Sequence, residues 1–197
     1  MNVAALYVER GGVYDGLAGV DPWPIDRDAR TYPGPHPVVA HPPCARWCAL
    51  APLVEHLLGD GYRLGQDNGC FESALAAVRL FGGVLEHPAY SFAWKRFGLP
   101  EPHWGVWRRS LLDPGWVTAV DQAAYGHPAR KRTWLYYVGP EPDTLDWRLV
   151  RVGRQVSSFA HHRRFDEPER VRPALAAATP PAFAVALVDL ARKAGRG

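Results

Sequence analysis

The sequence is poor in cysteine and lacks a long apolar run. Three cysteines in 197 residues are too few, and odd in number, for a disulfide-stapled secreted fold, so we expect free thiols in a reducing compartment. No stretch approaches the roughly 18 apolar residues that span a bilayer, and residues 1–5 do not resemble a signal peptide. These absences predict a cytoplasmic protein with no membrane partner.

Strong net charge and internal boundaries are also lacking. The net charge is only +3, which by itself does not indicate a nucleic-acid partner. Residues 130–132 and 148–172 are nevertheless strongly basic, which suits either phosphate contact or a solvated surface. The chain contains no repeat, low-complexity tract or clear linker, so residues 1–197 are expected to form a single α/β catalytic domain.

Apolar patterning predicts alternating strands and helices in the first half of the chain. We expect strands at residues 3–8, 37–40, 83–86, 116–120 and 133–138, and helices at 50–58, 70–80 and 182–193. The last two strands should pair as a hairpin, and residues 21–37 should be irregular. The alternation predicts one doubly wound, mostly parallel sheet with helices on both faces.

Two chemically active side chains follow predicted strands. Cys44 lies just after the second strand and two prolines, and Glu86 ends the third strand. Functional residues collect at the carboxyl ends of strands in such sheets. Taken singly, Cys44 also suits a buried small apolar residue, and Glu86 suits a salt bridge to an arginine.

Several segments, taken in order, carry a resemblance. They are residues 38–44 (VVAHPPC), 67–69 (DNG), 84–88 (VLEHP), 120–133 (VDQAAYGHPARKRT) and 179–181 (TPP). This series resembles the DNA cytosine-5 methyltransferases, which have a strand leading to a Pro-Cys loop, a strand ending in Glu-Asn-Val, and a Tyr-Gly-x-Pro-Gln-x-Arg-x-Arg hairpin. The resemblance implies a methyltransferase-like fold that transfers a methyl group to cytosine in DNA.

The resemblance implies a role for each matching residue. Cys44 would add as a thiolate to C6 of cytosine, which makes C5 nucleophilic. Glu86 would donate a proton near N3 with a raised pKa, and Lys131 would supply a positive charge. The base would leave the duplex stack to reach this pocket. The implied substrate-binding residues are Pro43, His87, Tyr125, Arg130 and Thr133.

The resemblance also implies a cofactor, S-adenosylmethionine, beyond the first strand. Tyr7, Gly11 and Gly12 match the family's cofactor loop, and Asp21 or Asp26 would hold the ribose; of the two we assign Asp26. Glu9 departs from the pattern because it stands where the family has a glycine. A side chain there fills space that the cofactor would use.

The region available for DNA recognition is short. Residues 139–178 would form a small basic lobe, with residues 161–164 (HHRR) at phosphates and Trp147 or Phe159 stacking on a base. A surface loop is the alternative interpretation. The small size favours a phage or bacterial origin and a protein partner that supplies sequence specificity.

Other interpretations remain open. Zinc deaminases use a Pro-Cys-x-x-Cys motif, which the Cys44 and Cys48 spacing does not match. A structural zinc site would use His41, Cys44, Cys48 and Cys70, although the expected metal content is none. A third alternative keeps Cys44 and Glu86 for another C5 reaction on a pyrimidine in DNA or a nucleotide, without S-adenosylmethionine. A fourth is a non-catalytic nucleic-acid-binding module.

Overall fold

Seven strands form one mixed sheet in the computed structural model, which describes residues 1–59, 62–109, 112–152, 154–155, 169–170 and 173–195. The strands are β1 (Val3–Leu6), β2 (Val20–Trp23), β3 (Val38–Ala40), β4 (Gly83–Pro88), β5 (Arg108–Arg109), β6 (Trp116–Asp121) and β7 (Arg132–Val138). The helices are α1 (Ala51–Leu58), α2 (Cys70–Phe81), α3 (Phe92–Arg96), α4 (Pro173–Ala177) and α5 (Pro181–Ala194). Short 3-10 helices lie at Ile25–Arg27, Ala29–Thr31 and Gln122–Tyr125, and β8 (Arg154–Gln155) pairs with β9 (Glu169–Arg170).

The sheet order is β2-β1-β3-β4-β7-β6-β5. The first four strands in this order run parallel, whereas β7 pairs antiparallel with both β4 and β6, and β5 pairs antiparallel with β6. The prediction of an α/β sheet is confirmed, but the prediction that it is mostly parallel is wrong. The connection from β6 to β7 is too short for a crossover, so these strands form the expected hairpin and make the sheet mixed.

Helices cover both faces of the sheet, as predicted. Side chains alternate along each strand, so Leu6 and Leu85 face α2 while Val3 and Val84 face α5. The helix α2 buries Phe71, Leu75 and Val78 on one face, and α5 buries Phe183, Leu187 and Val188 on the other. Burying each large apolar side chain contributes roughly 1.5–3 kcal/mol, so these two layers account for most of the core.

Several short elements were not predicted from the sequence, among them β2, β5, α3 and α4. The strand β2 overlaps the segment predicted to be irregular, because its Asp-Pro pair is not typical of a strand. Pro22 is tolerated because β2 is the edge strand of the sheet, where a missing N–H breaks no ladder. The short helix α3 was also not predicted, and Ser91 caps it by accepting from the Ala93 N–H.

One stretch meets the length and composition of a membrane span. Residues Ala174–Ala194 have a mean hydropathy of 1.6, contrary to the expectation that no such run exists. Within α5, however, Phe183 and Leu187 are fully buried against the sheet. Part of the apolar character of this stretch is therefore used in core packing.

The strand order creates a crevice at one edge of the sheet. The chain leaves β1 toward β2 and then crosses to β3 on the other side of β1. Loops that follow two such strands diverge, and ligands bind in the resulting crevice beyond the carboxyl ends. The loop that carries Cys44 follows β3 at this edge, and β4, which carries Glu86, lies directly beside β3.

We expect Gly83→Ala to destabilise the protein severely. Gly83 has a φ of 118°, and a Cβ at this position would lie 2.0 Å from the Val38 carbonyl oxygen of the neighbouring strand. The variant should lose roughly 3 kcal/mol or more of unfolding free energy in urea denaturation. Gly98→Ala is the control, because its φ of 64° is similarly positive but its Cβ would meet open space. The control should lose only about 1–2 kcal/mol, and equal losses would contradict the close approach of β3 and β4.

Candidate active site

Cys44 lies in a turn directly beyond β3. Pro42 is buried and Pro43 is exposed, and because neither has an N–H the chain leaves the sheet in an extended form. The Cys44 carbonyl then accepts from the Trp47 and Cys48 N–H groups at 2.9 Å, which closes the turn. The thiol is half-buried as a result.

Glu86 is held by hydrogen bonds at both carboxylate oxygens. Its side chain lies among buried groups, with only 8% of the residue exposed. Ala40 is paired with Leu85 in the parallel register, so the next residues, His41 and Glu86, become neighbours. His41 Nδ1 lies 2.9 Å from Oε2, and Gln122 Nε2 donates to Oε1 at 3.1 Å.

The Glu86 bonds extend into a polar network across the edge of the sheet. The Tyr14 hydroxyl lies 2.7 Å from His41 Nε2. The Glu86 carboxylate requires a proton on Nδ1, so Nε2 accepts from the Tyr14 hydroxyl when His41 is neutral and donates to it when His41 is charged. On the other side, Gln122 Nε2 donates to Thr133 Oγ1 at 2.9 Å. The network therefore connects the loop after β1 to the start of β7.

The protonation state of Glu86 differs from the sequence prediction. Burial alone raises the pKa of this carboxyl, but the His41 hydrogen bond and the positive charges of His41 and Lys131 outweigh burial and lower the pKa to about 2. The expected raised pKa is therefore wrong, because the sequence did not reveal the His41 partner. Glu86 is a carboxylate at neutral pH, so it orients His41 and accepts protons rather than donating one.

Cys44, Glu86 and Lys131 interact electrostatically although they come from separate segments. Burial raises the pKa of Cys44 to about 11, the charge of Glu86 adds to this increase, and Lys131 opposes it. Burial also lowers the pKa of Lys131, which the charges of Glu86 and Cys44 counteract. The Lys131 ammonium donates to the carbonyls of Ala177 and Ala178 at 2.9 and 3.0 Å, which ties the end of α4 to the site.

The residues predicted to bind substrate divide into two groups. Thr133 lies in the network and Pro43 in the Cys44 loop. Tyr125 instead packs on Phe183, and its hydroxyl accepts from the Asp146 N–H at 2.8 Å. Arg130 pairs with the buried Asp121 at 3.4 Å.

His87 points away from the other site residues. Neighbouring residues of a strand face opposite sides of the sheet, so His87 lies among aromatic rings on the α2 side. Burial lowers the pKa of His87 to about 4, although the charge of Glu86 and the Pro43 carbonyl oppose this effect. His87 is therefore neutral at neutral pH and belongs to the core beneath the Cys44 loop.

The residues predicted to hold S-adenosylmethionine do not form a cradle. Residues 7–19 connect β1 to β2 by turns without a helix, so the loop lacks the helix N-terminus that commonly binds an anionic group. Tyr7 has a φ of 60° and its hydroxyl lies 2.7 Å from Ser73 Oγ, on the α2 side. Gly12 N–H donates to the Glu9 carbonyl at 3.2 Å and closes a tight turn beside the exposed Gly11.

The two aspartates predicted to hold the ribose both form ion pairs with arginines. Asp26 forms an exposed ion pair with Arg10, and Asp21 accepts from Arg27 at 2.6 Å. With the loop geometry, these pairs leave no free acidic side chain beside a helix N-terminus, so the described residues do not offer the arrangement that the cofactor's ribose and carboxylate would use.

The proposed DNA-contacting region is described only in part. Trp147 donates to Thr118 Oγ1 at 3.3 Å and packs against the α5 side of the sheet, so its ring is not free to stack on a base. Phe159 and residues 161–164 lie outside the described residues.

Three site residues were not predicted from the sequence as members of the network. His41 follows β3, and the sequence indicated it only as a possible zinc ligand. Gln122 follows β6, which runs in the same direction as β4. The predicted hairpin therefore already implied that Gln122 lies at the carboxyl edge of the sheet. Tyr14 lies in an irregular loop, and no pattern indicated it.

The described residues contain no group of three or more His, Cys, Asp or Glu side chains that could hold a metal ion, and so do not support the zinc alternative. No family model, curated protein or solved structure matches the chain. The chemistry of the site therefore has to be argued from its own residues.

We expect His87→Phe to flatten the dependence of stability on pH. As pH falls from 6.5 to about 4, the unfolded chain protonates this histidine while the folded protein keeps it neutral. Stability therefore falls by up to roughly 1.4 kcal/mol per pH unit across this window. The phenyl ring should pack against Phe71 and Trp94 and remove that slope in urea denaturation between pH 4.5 and 6.5.

The exposed His56→Phe is the matched control and should keep the wild-type slope. The pKa of Glu86 is lowered from 4.5 to about 2, so the stability that its ionisation contributes is lost as pH falls from about 4.5 to about 2, below this window. Retention of the wild-type slope in His87→Phe would show that this histidine is not the buried neutral group.

Proposed function

We propose that this chain activates C5 of a cytosine in DNA by adding the Cys44 sulfur to C6 of the base. The observation that carries the proposal is the convergence of three residues: Cys44 follows β3, Glu86 lies near the carboxyl end of β4, and Lys131 precedes β7. Their charges influence one another at the carboxyl edge of the sheet, where ligands of α/β sheets bind. A nucleophile, a carboxylate–histidine pair and a cation are the groups that such an addition needs.

The thiol must lose its proton before it adds to the ring. Burial keeps Cys44 protonated at neutral pH. His41, which the Glu86 carboxylate orients through Nδ1, would serve as the general base by exchanging the Tyr14 hydrogen bond at Nε2 for the Cys44 thiol. Lys131 favours the resulting thiolate and negative charge that develops on the ring.

The step balances without a second reactant. The Cys44 sulfur forms a bond to C6, and C5 takes a proton from solvent. C5 then loses its original hydrogen as a proton, the bond between sulfur and C6 breaks, and the thiolate is regenerated. The net result is exchange of the C5 hydrogen, and an electrophile other than a proton would yield a C5-substituted base.

Methyl transfer shares this first step and is the reaction that the resemblance to cytosine-5 methyltransferases implies. The loop after β1 does not support binding of the methyl donor, S-adenosylmethionine. This loop contains no helix, and the nearby Asp21 and Asp26 are paired with arginines. We therefore favour a methyltransferase-like protein that activates C5 without S-adenosylmethionine. We further propose that the partner is DNA and that a second protein supplies sequence specificity. The proposed setting is the cytoplasm of a bacterium or of a phage-infected cell.

We expect the wild-type protein to exchange the C5 hydrogen of cytosine in DNA oligonucleotides with deuterium from D₂O. Nuclear magnetic resonance follows the loss of the H5 signal. Cys44→Ala should reduce exchange to the uncatalysed rate, and Glu86→Gln should slow it about 100-fold or more because His41 loses its orienting charge. Cys48→Ala is the control, since this thiol lies in the same turn and should be dispensable. Exchange by Cys44→Ala at the wild-type rate would overturn the assignment, and no exchange by the wild type would favour a binding module.

We further expect added S-adenosylmethionine to leave the reaction unchanged. Mass spectrometry of the oligonucleotide should show no methylated base, and calorimetry should show no tight binding of S-adenosylmethionine to the wild type. Glu9→Gly tests whether this side chain alone closes the site, and we expect no gain because the helix after β1 is still lacking. Accumulation of 5-methylcytosine with the wild type would show instead that methyl transfer is the reaction.

A further inference from the structure

A groove with a volume of about 700 Å³ opens beside the Cys44 loop. It is lined by Trp47, Arg63, Leu64, Gly65, Phe92, Lys95 and neighbours. The Phe92 N–H donates to the Trp47 carbonyl and the Gly65 N–H to the Arg46 carbonyl, each at 2.8 Å. These bonds join both walls of the groove to the turn that begins at Cys44.

The described residues that line the groove carry positive charge and no carboxylate. Arg63, Lys95 and Arg96 line it and are exposed, and no Asp or Glu is among the lining residues. In the part of the chain that the structure describes, none of these three side chains forms an ion pair. Elsewhere on the surface, arginines such as Arg27 and Arg148 are paired with carboxylates. The groove thus concentrates positive charge that an anionic ligand would neutralise.

The groove also offers apolar surface among these charges. Phe92 and Leu64 are each 38% exposed, which is high for large apolar side chains. The backbone of Gly65 packs on the Trp47 ring, so close that a Cβ would lie 2.8 Å from it, and this contact keeps the wall flat. Cations that alternate with aromatic surface are typical of sites that bind single-stranded nucleic acid.

We propose that this groove binds a single-stranded nucleic-acid segment adjacent to the base that enters the Cys44 site. The inference rests on the proposed function for the identity of the polyanion. Arg63, Lys95 and Arg96 contact phosphates, and an unstacked base lies against Phe92. In a duplex the bases are stacked inside the helix. The phosphates of a duplex can contact the basic side chains of the groove, but its bases cannot stack on Phe92.

The charge of the groove is tested by Lys95→Gln/Arg96→Gln. Fluorescence anisotropy measures binding of a labelled single-stranded oligonucleotide at several salt concentrations. Each phosphate contact on a single strand contributes about −0.7 to the slope of log affinity against log salt. The double variant should make the slope shallower by about 1.4 and weaken binding roughly tenfold or more at low salt. The control is Arg108→Gln/Arg109→Gln, which removes the same charge from exposed residues at the far edge strand.

The apolar surface is tested by Phe92→Leu. This variant keeps an apolar side chain but loses the flat ring, so it should weaken single-strand binding roughly fivefold or more. Duplex binding should change little. Trp104→Leu is the matched control because Trp104 is also 38% exposed and lies outside the groove lining. Melting temperatures near the wild type verify that each variant is folded.

The possible results distinguish failure of the groove proposal from failure of the proposed catalytic function. If the wild type exchanges no C5 hydrogen but the groove variants lose single-strand binding, the groove proposal stands and the catalytic proposal fails. If exchange occurs and the groove variants bind single strands as the wild type does, the groove proposal is overturned. It is also overturned if duplex DNA binds as tightly as the single strand, or if poly-glutamate of equal charge competes equally, which would indicate an acidic protein partner.

Discussion

The hydrogen bond between His41 and Glu86 is the interaction on which the candidate site depends. A buried ionised carboxylate is costly unless it is paired, and His41 and Gln122 together satisfy both of its oxygens. The parallel register of β3 and β4 places the two residues side by side. Because two prolines separate His41 from Cys44, the same bond that stabilises Glu86 also fixes where the cysteine turn begins.

The antiparallel half of the sheet completes this arrangement. The hairpin places β7 next to β4, which brings Thr133 and Lys131 to the edge where Glu86 lies. Gln122 follows β6 and spans the distance between Thr133 and Glu86. A wholly parallel sheet would have required a crossover helix at this position, and the return strand would not have supplied these side chains at the carboxyl edge. The mixed topology is therefore what assembles the site.

Local sequence patterns predicted the main helices and strands, whereas the sheet order and the register between strands could not be predicted from them. Residues 70–80 and 182–193 have clear helical periodicity, and α2 and α5 are where the pattern indicated. The sheet order and the β3–β4 register are not local, so the pairing of His41 with Glu86 and the lowered pKa of Glu86 were missed. The sequence did indicate that Cys44 and Glu86 share one edge, because that follows from strand ends alone.

The loop after β1 contacts the candidate site directly. Tyr14 belongs to this loop, is only 3% exposed and lies against His41 with ring centroids 5.4 Å apart. Opening the crevice between β1 and β3 for a cofactor would withdraw Tyr14 and leave His41 Nε2 without its hydroxyl partner. The loop therefore stabilises the Glu86–His41 pair rather than cradling a ligand. A reaction that draws its C5 proton from solvent needs no such cradle, so the geometry of the loop and the chemistry proposed for Cys44 are mutually consistent.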